Sequence, residues 1–118
     1  MIEHPKAEEL VEAVARFLDG VRPQLNPRDA FLARVAVNAL GAVRRELQHG
    51  PAAEAAASER LTALLGRQGM LAELNADLCA RLRTGEMDAA TPGLLAALRA
   101  NAADQIAIDQ PTYAPEPR

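Results

Sequence analysis

One serine, one cysteine and two histidines are the whole stock of conventional nucleophiles and imidazole bases in this chain of 118 residues. Ser58, Cys79, His4 and His49 allow few nucleophile–base pairs to be written at all, so no catalytic residue is assigned. Cys79 borders a leucine stripe, where a free thiol behaves as a small apolar side chain. Glu46-Leu47-Gln48-His49 has the Glu-x-x-His spacing that places both ligands of a di-iron carboxylate bundle on one helix face. Such sites use two motifs and two further Glu, and this chain has one motif. His49 also precedes Gly50, where an imidazolium would complement a helix C-terminus. No metal and no cofactor is expected. Gly66-Arg67-Gln68-Gly69 lacks the glycine pattern and the preceding strand of a phosphate or dinucleotide loop.

The strip Arg34, Asn38 and Arg45 carries the remaining chemistry. Two guanidinium groups and an amide, at spacings of four and seven, could clamp a carboxylate or phosphate. Gly41 lies between them, where a ligand or a second backbone could approach. The same residues also fit salt bridges to acidic groups of a neighbouring helix, with Gly41 permitting close packing. Both readings stay open at the level of sequence.

Helices must position these groups. The chain holds 26 Ala and 16 Leu but no Trp, one Tyr and two Phe, a composition rich in helix formers and poor in strand formers. The fold expected is all-α: a single-domain bundle of about five helices over residues 1–110, followed by an extended tail over 111–118. The first helix starts near Pro5 and carries Leu10, Val11, Val14, Phe17, Leu18 and Val21 at three- and four-residue steps. The second is capped by Asn26, has Pro27 at its first position, and stops at Gly50-Pro51. Phe31, Leu32, Val35, Val37, Leu40, Val43 and Leu47 cover about two-thirds of its circumference, which predicts a central, mostly buried helix. A third helix runs from about Ala52 to Leu65. A fourth carries Leu71, Leu74, Leu78 and Leu82 and stops at Gly85. A fifth begins with Thr91 as N-cap and Pro92, and ends at Pro111. Asn75 and Gln105, beside or within apolar stripes, are expected to hydrogen-bond between helices. Tyr113 is expected to anchor the tail, ring packed and hydroxyl wet.

Charge and cysteine content exclude several function classes. Thirteen basic and 16 acidic residues leave net −3, with no basic run and no interleaved aromatics, so nucleic-acid binding is not expected. A single cysteine cannot form an intrachain disulfide and fits a reducing compartment. The N-terminus lacks an apolar signal core, and no apolar run approaches the ~20 residues of a membrane span. A cytoplasmic protein without membrane association is expected.

Several phrases resemble a known family. They are His4-Pro5 with Leu10, Val11, Ala13 and Val14; residues 33–40, Ala-Arg-Val-Ala-Val-Asn-Ala-Leu; Arg45-Glu46-Leu47; Leu71 to Leu78 around Leu74-Asn75; and Ala107-Ile108-Asp109-Gln110-Pro111-Thr112-Tyr113. Together they are similar to a bacterial family of small domains of unknown function, whose members are often encoded near phosphotransferase-like kinases and acyl-CoA dehydrogenases. The family phrase usually has Asn where this chain has Gln110. The resemblance implies an accessory role beside such an enzyme and supplies no catalytic residue. It adds Asp109 and Tyr113 to Arg34, Asn38 and Arg45 as candidate ligand-binding positions. The expected function is a non-catalytic accessory or interaction module, partnered by such a kinase or dehydrogenase or by a second copy. The alternative is a bundle that holds an anionic metabolite, such as an acyl-CoA or a phosphorylated compound.

Overall fold

The computed structural model describes residues 5–113. These residues are all-α, with four helices and no strand among them. Helix α1 spans Ala7–Val21, a single 3-10 turn spans Arg22–Gln24, and α2 spans Pro27–Leu65; α3 is Leu71–Thr84 and α4 is Leu94–Asp109. The chain divides into two compact units that meet between Gly50 and Pro51, inside α2. Among the described residues no helix is long and apolar enough to cross a membrane.

The count is four rather than five because Gly50-Pro51 does not stop α2. Pro51 has no N–H to offer the Leu47 carbonyl, and proline inside a helix costs about 3 kcal/mol relative to alanine. Five alanines among residues 52–57, the best helix formers, resume the pattern at once. Both ends are also well anchored. The Asn26 side chain caps the N-terminus by accepting from the Asp29 N–H at 2.8 Å and donating to the Asp29 carboxylate at 3.0 Å. Leu61 and Leu65 bury the C-terminal turns. His49 is therefore in mid-helix, exposed, with no helix end to complement.

The first unit is a helical hairpin. The turn Arg22–Gln24 reverses the chain, and Arg44 Nη2 lies 3.4 Å from Glu12 Oε2, so α1 and the first part of α2 run back along one another. This hairpin corrects the expectation of a mostly buried second helix. Within residues 27–50 only Ala33 is buried, while Phe31 is 63% exposed and Leu32, Val35, Val43 and Leu47 are also exposed. The apolar arc is as wide as the sequence indicates, but within this unit α2 has one helical neighbour, and one neighbour covers only part of such an arc.

The second unit has an enclosed core. Leu61 and Leu65 of α2, Leu74 and Leu78 of α3, Met87 of the following loop and Leu94 at the start of α4 form one buried cluster, with Leu64 and Leu71 packed against it. Leu61 and Leu74 are fully inaccessible, and each fully buried Leu contributes ~1.5–3 kcal/mol by leaving water. Gly85, at φ 79°, closes α3 as the sequence predicts. The start of α4 differs from expectation. Thr91 caps no helix; its Oγ1 accepts from the Asp88 N–H at 2.9 Å inside the preceding loop. Gly93, at φ 83°, breaks helical continuity after Pro92, so α4 begins at Leu94. Asn75 is exposed and makes no core hydrogen bond, and Cys79 is exposed too. Gln105 bonds along its own helix, to Asp109, rather than across helices.

Candidate functional site

The hairpin has two chemically distinct sides, which follow from helix geometry. At 100° per residue, Ala33, Val37, Leu40 and Arg44 share a narrow arc of α2. All four are buried or half-buried, so that arc faces α1. Val11, Ala15 and Leu18, half-buried, share the corresponding arc of α1. Leu10, Val14 and Phe17 lie about a quarter-turn from it on α1; on α2 Leu47, Val43 and Leu32 lie about 50° to 110° from it, and Val35 nearly opposite it. Because two right-handed helices run antiparallel, these displacements bring both apolar strips, Val35 apart, to the same side of the hairpin. Arg34, Asn38 and Arg45 are displaced the other way and occupy the opposite side, beyond the Glu12–Arg44 ion pair.

The sequence-derived strip is thus a real alignment of side chains, with a geometry that limits its chemistry. Arg34 and Asn38 are exposed and one helical turn apart, whereas Arg45 is half-buried. Arg34 and Arg45 are separated by 11 residues, about 16 Å along the axis, so together they suit an elongated anion better than one carboxylate. Gly41 has a specific role here. A Cβ at that position would sit 3.3 Å from Arg45 Nη1, so the guanidinium one turn onward lies across the glycine. The group that approaches Gly41 is a side chain of α2 itself. An ion pair to α1 is made by Arg44, a residue the sequence reading passed over.

Asp109 and Tyr113 belong to the second unit. Asp109 Oδ2 accepts from Gln105 Nε2 at 2.9 Å. Tyr113 is 60% exposed and its N–H closes a turn onto the Gln110 carbonyl, so its ring is not packed as an anchor. Tail residues 114–118 and His4 lie outside the described residues. No three His, Cys, Asp or Glu side chains gather as a metal site among the described residues.

The sequence reading also missed Arg60. Its Nη1 donates to Asn101 Oδ1 and Asp104 Oδ2, both at 2.9 Å, and so joins the end of α2 to α4. The signal was present: one Arg interrupts an apolar register of Ala53, Ala57, Leu61 and Leu64, opposite an Asn and an Asp three residues apart. A shallow groove of about 430 Å³ lies beside it, walled by Ala63, Leu64, Pro92 and Ala96. Among the described residues Arg60 is the only charged one lining that groove, and its guanidinium is already engaged.

The model of one protein family, the domain of unknown function DUF6285, matches residues 23–113. The chain belongs to that family. The match begins after α1, so the His4–Val14 phrase of the resemblance falls outside the matched span, while α2, α3 and α4 fall within it. No curated protein and no solved structure matches the chain.

Proposed function

We propose that this chain, a member of a family with no assigned activity, is a non-catalytic accessory module that works by contact with another protein. The observation that carries the reading is the apolar side of the hairpin. Leu10, Val14 and Phe17 on α1 and Leu32, Val43 and Leu47 on α2 remain exposed on one side, a patch beyond the scattered apolar residues of an ordinary surface. The partners proposed are those implied by the resemblance, a phosphotransferase-like kinase or an acyl-CoA dehydrogenase in the cytoplasm. The test is to purify the chain with each such enzyme encoded beside it and measure binding between the pure components. Binding weakened about tenfold or more by Phe17→Asp supports the reading. Binding unchanged by Phe17→Asp and by Val43→Asp removes the apolar side as the contact.

A second reading places an anionic metabolite on the opposite side, and the exposed Arg34 and Asn38 in line with Arg45 favour it. In that case Arg34→Ala and Arg45→Ala each lower the affinity for a CoA thioester in calorimetry. Heats equal to those of the parent chain reduce the strip to a solvated polar face.

A further inference from the structure

We infer that the hairpin is a separate opening unit: residues 7–50 unfold in one local step that ends at Gly50-Pro51, while the second unit stays folded. This goes beyond the accessory-module reading and does not depend on it. Little holds the hairpin closed. Helix α1 buries no residue, and within residues 27–50 of α2 only Ala33 is buried. The arcs that face each other, Val11, Ala15 and Leu18 on α1 and Val37 and Leu40 on α2, are no more than half-buried. Lys6 precedes α1 without a side-chain cap, and a helix of 15 residues is marginal in water without packing. The Arg44–Glu12 ion pair, 3.4 Å long, leaves its two side chains 42% and 34% exposed, so solvent screening keeps its contribution small. Arg44 Nε is shielded from water and has no hydrogen-bond partner among the described residues, which costs the closed state free energy.

The seam keeps an opening from spreading. Glu46, Leu47, Gln48 and His49 are all exposed, and four consecutive residues pass through more than a full helical turn, so no face of α2 is packed there. Pro51 and Ala52 are exposed as well. Pro51 removes the donor to the Leu47 carbonyl, and glycine and proline are the two poorest helix residues. A helix propagates by gaining one bond for each residue it fixes. Here it meets two weak residues, a missing bond and no burial together. Past the seam the same helix is held in place. Arg60 donates to Asn101 and Asp104, and Leu61 and Leu65 lie in the enclosed core. An opening that starts in the hairpin therefore halts before Arg60.

Elements of low local stability are the ones that a binding event can order. Any molecule that binds the closed hairpin raises its closed population without disturbing the core around Leu61 and Leu74. The chain thus carries a conformational switch in one unit and a permanent core in the other.

Native-state amide hydrogen exchange on the full chain, read residue by residue by NMR, provides the test. Amides of Val11 to Leu18 and of Val37 to Arg44 share one protection level, on the order of 100-fold below that of Leu65, Leu78 and Ile108. Val37→Ala, at a half-buried position facing α1, lowers hairpin protection about threefold to tenfold and leaves Leu65 and Leu78 unchanged. Pro51→Ala restores a helical bond at the seam and raises protection of Ala52 to Glu54 by about tenfold or more. Hairpin amides protected as strongly as those of Leu65 and Leu78 overturn the inference, since the chain then opens only as a whole. Losses from Val37→Ala that appear equally in both units overturn it too. Seam amides indifferent to Pro51→Ala overturn the boundary at Gly50-Pro51.

Discussion

The two units carry the same apolar material and bury it very differently. Residues 5–50 and residues 51–113 each contain 14 residues drawn from Val, Ile, Leu, Met and Phe. The second unit buries seven of its 14, namely Leu61, Leu65, Leu74, Leu78, Met87, Leu94 and Ile108, and the hairpin buries none. Amount of hydrophobic sequence does not separate them; enclosure does. Leu61 and Leu65, Leu74 and Leu78, and Leu94 approach a common point from three helices, with Met87 from the loop closing the gap. Two helices can cover one arc of each other and no more, so the hairpin's remaining stripe finds no cover from within the hairpin itself.

The largest effect that sharpens this contrast is expected at the enclosed core. Leu74→Ala should cost about 2–5 kcal/mol in denaturant unfolding, at any protein concentration, because it opens a cavity among fixed neighbours. Phe17→Ala, at a position 67% exposed, should cost under about 0.5 kcal/mol in the same measurement. Equal losses would break the contrast, since the hairpin would then have a hidden core of its own.

Next comes the seam between the units. Pro51→Ala should stabilise the chain by about 1–3 kcal/mol, by giving the Leu47 carbonyl its missing donor. A lower melting temperature would mean that the proline shapes α2 in a way the second unit depends on.

The hairpin's cap comes third. Asn26→Ala should cost about 1 kcal/mol, since the Asp29 N–H loses its acceptor. Gly41→Ala has the smallest expected effect. It should gain helix propensity worth about 0.5–1 kcal/mol, less whatever is lost by moving Arg45 Nη1 off the site of the new Cβ, as thermal melts of the two chains would show. A net loss there would give the Arg45–Gly41 contact a structural weight that propensity alone does not.

Most element ends were legible because their signals are local. Asn26 before Pro27, and Gly85 after a leucine stripe, act through one or two hydrogen bonds or a single left-handed residue. The misreadings arose where several local terms compete. Gly50-Pro51 carries two strong breakers, yet five alanines follow directly and both helix ends are anchored, so the sum favours continuation. Thr91-Pro92 has the composition of a helix start, yet Asp88 claims the threonine hydroxyl and Gly93 turns left-handed. At the candidate site, 3.6-residue spacing was enough to align Arg34, Asn38 and Arg45 on one side. It could not say that Arg45 would lie across Gly41, or that Arg44 would be the arginine to meet Glu12. Arg60 was visible as an Arg within an apolar register, but its partners, 41 and 44 residues away, were not, because no spacing rule reaches that far.

By itself the sequence determined the all-helical class and the positions of most helix termini. It also determined which residues share a helical face, because propensity, capping and periodicity act within a turn or two of chain. Only the tertiary structure decided which apolar faces find cover. Burial depends on how many elements converge on one place, and seven of the second unit's 14 apolar residues met that condition around Leu61 and Leu74 while none of the hairpin's 14 did around Phe17 and Phe31.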